Sequence, residues 1–233
     1  MRRQSIIRNV IKGEMAEIWE LFSTAEKNEM LGHFEVKSFK KNSIIYNEGD
    51  NAAYLMCLIR GKVKISKEGV GGRSQIIRLV RPLQYFGYQT YFAGLPHTGN
   101  AIAFEQSMVA FLPLEILEQY MLRNSKLAYF FIKEIAKDLI SAENNVVSLT
   151  QKHIRGRLAE SLFTIKEFFG LTPEGYIDAR FSREELANLS NMTTSNAIRT
   201  LSAFAKEGLV EINGRYIKII NEDKLSKISK FGW

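Results

Sequence analysis

The chain has 233 residues, of which 45% are hydrophobic and 24% are charged, the composition of a folded globular protein rather than of a disordered or fibrous one. A single cysteine, Cys57, excludes an internal disulfide framework and a four-cysteine iron–sulfur cluster, and it suits a reducing compartment. The net charge of +7 is spread along the chain, so charge alone is only a weak indication of a polyanionic partner. No apolar run reaches the roughly 18 residues that a transmembrane helix needs, and we expect a cytoplasmic protein without a membrane partner.

The first half of the chain changes from a helical to a strand-like pattern. Residues 14–31 predict one amphipathic helix, with Met15, Ile18, Trp19 and Phe22 on one face. Short apolar runs then follow at residues 43–46, 54–59, 62–65 and 107–112, separated by glycine-containing turns. Several short strands at this spacing predict a β-sandwich or a β-roll.

A long helical segment follows the strands, since residues 113–169 contain no helix breaker before Gly156. Within it an apolar stripe repeats at alternating spacings of four and three residues: Ala128, Ile132, Ile135, Leu139, Ala142, Val146 and Leu149. Such a heptad stripe is typical of a helix that pairs with a second helix, although packing within its own domain is the alternative. Because Phe130 and Phe131 provide a separate apolar surface for that domain, we expect a homodimer formed through the stripe.

The C-terminal segment has the order helix, turn, helix, hairpin. A turn at residues 172–175 and a short strand at 176–178 lead to a helix that Ser182 caps, with Glu185 completing a capping box. A second helix is predicted from Thr193 to residue 207, where Gly208 ends it. Two predicted strands then flank Asn213 and Gly214, a strong hairpin signal. This is the order of a winged helix-turn-helix.

The two helices have the features of a DNA-reading pair. Ala187 is small enough for a close helix contact, Asn191 tolerates the left-handed turn, and a small core is predicted from Leu186, Leu189, Met192, Ala197, Ile198, Leu201 and Phe204. The exposed start of the second helix then presents Thr193, Thr194, Ser195, Asn196 and Arg199. In a major groove, Asn pairs with adenine and Arg with guanine. A helical hairpin with solvent-facing polar residues is the alternative, and the wing favours DNA binding.

From these motifs the chain resembles the Crp/Fnr family of bacterial transcription regulators. Residues 44–50, 58–64 and 86–87 resemble the family's cyclic-nucleotide-binding-type β-roll, residues 156–159 resemble its hinge, and residues 182–187 and 199–210 resemble its helix-turn-helix and wing. The resemblance implies an α+β fold with three parts: a sensory roll at 1–113, a dimerisation helix and hinge at 114–153, and a winged helix-turn-helix at 154–233. It also implies a homodimer on a palindromic operator in double-stranded DNA, and contact with RNA polymerase if the protein is an activator.

The effector site departs from the family pattern. The resemblance places it around Phe86, Gly87, Tyr88 and Thr98. Members that bind cyclic AMP have Glu where this chain has Tyr88, and Arg where it has Thr98 or His97. A cyclic phosphate buried without a cation is costly, which argues against cyclic AMP. Haem stays open as a cofactor, with a histidine or methionine as axial ligand, whereas the cysteine count excludes the iron–sulfur branch.

The recognition helix departs too, because Thr194 and Ser195 replace the family's Arg-Glu pair and only Arg199 remains. We also considered two other classes of function. One is a haem- or small-ligand-binding module that acts through protein contacts, which a weak dependence of binding on salt would reveal. The other is an enzyme, for which the sequence offers no catalytic constellation or phosphate loop. We therefore expect a transcription regulator and no enzymatic activity.

Overall fold

The computed structural model describes residues 16–231. The N-terminal part contains, in chain order, α1 (Ala16–Trp19), α2 (Thr24–Leu31), β1 (Glu35–Phe39), β2 (Ile44–Tyr46), β3 (Tyr54–Arg60), β4 (Val63–Glu68), β5 (Ser74–Val80), β6 (Tyr85–Phe86), α3 (Gln89–Phe92), β7 (Asn100–Ala103) and β8 (Ser107–Pro113). The helices α4 (Leu114–Arg123), α5 (Ser125–Gln151) and α6 (Ile154–Phe169) follow. The C-terminal part contains α7 (Arg183–Leu189), α8 (Thr194–Lys206), β9 (Val210–Asn213), β10 (Tyr216–Ile219) and α9 (Glu222–Phe231).

The chain forms two compact units, and the division falls inside α5. The first unit contains the described residues up to Lys67 together with Ile77–Leu139, and the second contains Glu68–Ile76 together with the chain from Ile140. The α+β fold class that the sequence predicts is confirmed, since a strand-rich part precedes a helical part with one small hairpin.

The roll of the first unit consists of two antiparallel sheets with the strand orders β1-β8-β3-β6 and β2-β7-β4-β5. Strand β3 shows how the sequence builds it. Leu55, Cys57 and Ile59 face the apolar cluster shared with the helices, whereas Met56 and Leu58 face the cluster between the two sheets. Because side chains alternate along a strand, a continuous apolar run serves two cores at once. The strands predicted from the short apolar runs are confirmed.

The helix predicted over residues 14–31 is two helices, a correction to the sequence prediction. Ser23 begins α2 with a capping box: its Oγ accepts from the Glu26 N–H (3.3 Å) and its own N–H donates to Glu26 Oε2 (2.8 Å). This box satisfies the N–H groups of Ser23 and Glu26 at the start of α2 and so marks a new helix. Ile18, Trp19 and Phe22 are buried as predicted, and Met15 lies outside the described residues.

The long helical segment is interrupted at two places that the sequence pattern does not show. Asn124 separates α4 from α5, because its Oδ1 accepts from the N–H groups of Lys126 (3.1 Å) and Leu127 (3.3 Å) and thereby caps α5. Residues 152 and 153 separate α5 from α6. Phe131 is buried in the first unit's core, as predicted for the surface beside the stripe.

The second unit confirms the predicted helix-turn-helix. Ser182 Oγ accepts from the Glu185 N–H (3.0 Å), Ser182 N–H donates to Glu185 Oε2 (2.9 Å), and Thr193 Oγ1 accepts from the Asn196 N–H (3.3 Å). The turn between α7 and α8 contains Asn191 in the left-handed region with φ of 47°, as expected of the residue type.

Three details of this unit differ from the prediction. The segment 176–178 forms an isolated bridge between Leu171 and Ile177 instead of a strand. The hairpin loop is shifted by one residue, because Asn213 pairs with Tyr216 and leaves Gly214 and Arg215 in the turn. Ile198, predicted to lie in the core, is 47% exposed, since Ala197 and Leu201 occupy the buried face of α8.

Candidate nucleic-acid interface and effector pocket

The first half of α8 brings the predicted DNA-reading side chains together. Thr193, Thr194, Ser195 and Arg199 are exposed and Asn196 is half-buried, while Ala197, Thr200 and Leu201 of the opposite face are buried. The amphipathic pattern of α8 therefore fixes which face remains free. Thr193 Oγ1 also lies 3.1 Å from Ser195 Oγ, so the hydroxyl groups at the start of the helix form one small polar cluster.

A hydrogen bond to Asn196 holds the side chain of Arg199, the cation of this face, in one direction. Arg199 Nη2 donates to Asn196 Oδ1 at 2.7 Å, across one turn of the helix. The bond uses one of the two lone pairs of the Asn196 amide oxygen and one of the five guanidinium donors of Arg199. Four N–H donors of Arg199 therefore remain for an outside partner, on a side chain whose direction is already set.

Ile198 is the member of this face that the sequence pattern did not identify. It is 47% exposed and adjoins Arg199 in the sequence. An apolar side chain at the tip of a groove-reading surface contacts the methyl group of thymine. The sequence signal for its exposure is its position on the helix, just beside the buried positions Ala197 and Leu201. Because isoleucine is apolar, the sequence pattern instead predicts it in the core.

The hairpin that follows α8 carries cations supported by aromatic rings. Arg180 Nε donates to Tyr216 Oη (2.7 Å) with its guanidinium 5.0 Å from that ring's centroid, and Lys218 Nζ lies 5.7 Å from the Tyr176 centroid. Arg215 is exposed in the hairpin turn. Such cation–π contacts hold long basic side chains in place without neutralising their charge.

Arg183, the first residue of α7, is a half-buried cation beside the hairpin turn. Its Nη2 donates to the Gly214 carbonyl at 3.0 Å, which ties α7 to the hairpin turn. Its Nη1 is buried and has no hydrogen-bond partner within the described part of the chain. Burial also lowers the pKa of the Arg183 guanidinium, although an arginine stays charged at neutral pH.

The predicted dimer stripe on α5 is exposed in the single chain. Ile132 (60%), Ile135 (39%), Leu139 (59%) and Val146 (59%) keep large exposed fractions, Ala142 is exposed, and Leu149 is half-buried. Neighbouring apolar side chains widen the stripe: Tyr129, Ile140 and Val147. Contiguous apolar surface of this kind marks an interaction site.

The predicted effector pocket is occupied by the chain's own side chains. Phe86 and Tyr88 are fully buried, and the His97 ring stacks on the Tyr46 ring with centroids 3.7 Å apart. The His97 Nδ1 lies 3.3 Å from Thr90 Oγ1, and burial lowers the His97 pKa. Burial likewise raises the pKa of Tyr46 to about 12. Thr98 is exposed, so of the two candidates for the family's arginine position it is His97 that points inward.

One carboxylate of α5 holds the polar groups beside this pocket. Asp138 Oδ2 accepts from Gln89 Nε2 (2.8 Å), from Arg78 Nη1 (3.1 Å) and from Tyr88 Oη (3.5 Å). The same guanidinium donates through Nη2 to the Tyr85 carbonyl at 3.2 Å. The residues that directly follow Phe86 and Gly87 are thereby bonded to the long helix.

The three histidines considered as haem ligands lie in different surroundings. His97 has one ring face covered by Tyr46, and His33 and His153 are exposed. Among residues 16–231, no three His, Cys, Asp or Glu side chains come together in a way that suits a metal ion. No helix within the same range is both long and apolar enough to cross a membrane.

Comparisons with known proteins agree with the architecture. The sequence matches the family model described as cyclic nucleotide-binding domain over residues 36–124, and the Crp-like helix-turn-helix domain over residues 156–228. It is 22% identical over 191 residues to the CRP-like cAMP-activated global transcriptional regulator of Mycobacterium tuberculosis, with 81% of this chain and 85% of the relative covered.

Solved structures show the same fold. The structure of FixK2 from Bradyrhizobium japonicum superposes with a TM-score of 0.73 at 25% identity, over 83% of this chain and 96% of that one. A crp/fnr-family regulator from Eubacterium rectale gives a TM-score of 0.79 at 18% identity, over 91% and 97% of the two chains. With a cyclic-nucleotide-binding-type roll, a long helix and a Crp-type helix-turn-helix in that order, the chain belongs to the Crp/Fnr family of DNA-binding transcription regulators, which are not enzymes.

Proposed function

We propose that this chain acts as a homodimer that binds a two-fold symmetric operator through α8 and does not use cyclic AMP as its effector. The observation that carries the proposal is the exposed start of α8, where a capped helix end presents Asn196 and Arg199 in one fixed arrangement. Such a helix enters the major groove with its N-terminal residues towards the base edges.

The bond between Asn196 and Arg199 assigns them different roles. The bond to Arg199 fixes the orientation of the Asn196 amide and takes one of the two lone pairs of its oxygen, so a two-bond contact with adenine would have to share that oxygen. Reading guanine requires two parallel donors, which Arg199 retains. Arg199 is thus the base-reading residue, Asn196 directs it, and Ile198 contacts a thymine methyl group.

Phosphate anchoring falls to the cations around the hairpin. Arg183 donates to the Gly214 carbonyl, which holds its positive charge beside the hairpin turn. Arg215, exposed in the hairpin turn, supplies a second positive charge. These contacts position the protein on any sequence, whereas Arg199 distinguishes between sequences.

Dimerisation follows from the exposed stripe on α5. Members of the family bind DNA as dimers, and the stripe of Ile132, Ile135, Leu139 and Val146 is the extended apolar surface on which two copies can pair. A dimer presents α8 twice, so the operator consists of two half-sites about one helical turn apart. If the protein activates transcription, RNA polymerase is the further partner, which stays a prediction.

We expect the roll to bind no cyclic nucleotide. The relative from Mycobacterium tuberculosis is described as cAMP-activated, but in this chain Tyr88 follows Phe86 and Gly87, and its hydroxyl group bonds Asp138 of α5. His97 is stacked on Tyr46 and has a lowered pKa, so it is neutral at neutral pH and offers no cation to a cyclic phosphate. The effector, if there is one, is therefore of a different chemical class.

Selection of operators from a random DNA pool tests the proposal. The wild type is expected to recover a palindrome, and Arg199→Ala should lose preference at one symmetric base pair and about 1–3 kcal/mol of affinity per half-site. Lys206→Ala, which removes an exposed cation from the far end of α8, is the matched control and should keep full preference. Recovery of the same palindrome by Arg199→Ala with equal information at every position would contradict the assignment.

A further inference from the structure

The side chain of Arg157 connects two segments that are distant in the sequence. Its guanidinium donates to four backbone carbonyl groups: Nη1 to Leu149 (3.4 Å) and Lys152 (3.2 Å), Nε to Ser190 (3.2 Å) and Nη2 to Asn191 (3.3 Å). The first two carbonyls lie at and just beyond the C-terminal end of α5. The other two lie in the turn between α7 and α8. One planar cation therefore joins the end of the long helix to the turn that orients the recognition helix.

A second connection secures the same junction. Glu160 of α6 accepts a hydrogen bond from the Ser148 hydroxyl group and an ion pair from Lys152 Nζ at 2.6 Å. Ser148 is buried, whereas the Glu160 side chain is 40% exposed, so the bond lies at the edge of the packed junction. The two residues between α5 and α6 are thus bridged by side chains on both sides and do not form an open linker.

The division of the chain into compact units agrees with this junction. The boundary lies between Leu139 and Ile140, inside α5, and the last turns of α5 belong to the same unit as α6 to α9. Those turns carry Ala142, Val146 and Leu149, the C-terminal half of the proposed dimer stripe. The end of the stripe and the recognition helix are therefore parts of one compact body.

We propose that Arg157 is a positioning residue that sets the spacing between the two half-sites of the operator. The inference rests on the proposed function. If two copies pair along the stripe, the separation of the two α8 helices depends on the angle between α5 and α8 within each copy. Arg157 holds that angle because its fork reaches both carbonyl pairs simultaneously, which a lysine ammonium with a single nitrogen cannot do. The left-handed conformation of Asn191 aims one of these carbonyls at the guanidinium.

The test is operator selection from a pool in which the length of the spacer between half-sites is randomised. The wild type should recover one spacing. Arg157→Lys should keep the half-site sequence but accept spacers one or two base pairs longer or shorter, with the preference for the best spacing reduced about tenfold. Ser148→Ala, a milder change at the same junction, should broaden the spacing in the same direction and less strongly.

Arg155→Lys is the matched control. Arg155 also lies in α6, but its partners are Glu207, to which it makes two hydrogen bonds at 2.8 and 2.7 Å, and the ring of Phe204, rather than groups of α5. Its variant should keep the sharp spacing. If Arg157→Lys and Ser148→Ala both retain the wild-type spacing, or if Arg157→Lys loses affinity equally at every spacing, Arg157 is not a positioning residue. If the wild type recovers no palindrome, the proposed function itself fails, which is a separate result.

Discussion

Truncating one apolar side chain of the stripe on α5 should weaken the dimer. The loss should be proportional to the part of that side chain that is exposed in the single chain and covered in the dimer. Leu139 is 59% exposed in the single chain. Full burial of a leucine side chain stabilises by about 1.5–3 kcal/mol, so about 1–2 kcal/mol of this remains to be gained when a partner covers the exposed part. A two-fold dimer contains the residue twice, which makes the expected loss for Leu139→Ala about 2–4 kcal/mol.

That loss corresponds to an increase in the dimer dissociation constant of between about 30-fold and about 1,000-fold. Sedimentation velocity over a concentration series measures it directly. The matched control is Leu122→Ala on α4, because Leu122 is 83% exposed but lies outside the stripe, and its dissociation constant should stay at the wild-type value. A stronger variant, Ile135→Asp with Leu139→Asp, introduces four charges into the paired stripe and should yield a folded monomer. Equal effects of the two alanine variants, or a dimeric double variant, would refute the reasoning.

Three further predictions concern the roll. Titration calorimetry with cyclic AMP or cyclic GMP should show no heat of binding, and micromolar affinity for either would contradict our interpretation of the pocket. Burial lowers the His97 pKa from 6.5, so on acidification the unfolded chain binds a proton at this histidine before the folded chain does. The free energy of unfolding should therefore fall as the pH drops below about 6.5. His97→Gln should reduce this loss of stability, and His33→Gln should not. Gly94→Ala should lower the free energy of unfolding by about 1–2 kcal/mol, for its left-handed backbone alone. Gly61→Ala should lower it by about 1–3 kcal/mol more, because the added methyl group would lie 2.4 Å from the Gln106 carbonyl oxygen. Thermal unfolding that ranks the two variants in the reverse order would contradict this packing.

Features with a local physical cause were predictable from the sequence. The capping box at Ser182, the cap at Thr193 and the left-handed Asn191 each depend on groups within a few residues, and all three are found. The strands were predictable from short apolar runs separated by glycine-containing turns. The break before α2 had an equally local cause, the box at Ser23, but the continuing apolar periodicity of residues 14–31 favoured one helix and concealed it.

Features that depend on the meeting of distant segments were not predictable. The resemblance places Arg157 in the hinge motif of residues 156–159, but nothing near it in the sequence shows that the carbonyls of Ser190 and Asn191 come within reach. Asp138 lies beside the dimer stripe, and the sequence alone gives no reason to connect it with Gln89. Ile198 was assigned wrongly because an apolar residue is consistent with both a core and a base-contacting surface, and only the rotation of α8 distinguishes the two.

The Asp138 cluster is the structural basis of our proposal that the chain has the family fold without using a cyclic nucleotide. A buried cyclic phosphate needs a cation, and Arg78, whose charge acts on both Tyr46 and Tyr88, lies beside the pocket. That guanidinium is already bonded to Asp138 and to the Tyr85 carbonyl, so recruiting it for a phosphate would leave the Asp138 carboxylate without its main counter-charge. The link between the roll and α5 at this point is therefore made by the chain's own side chains: Arg78, Tyr88 and Gln89 all donate to Asp138.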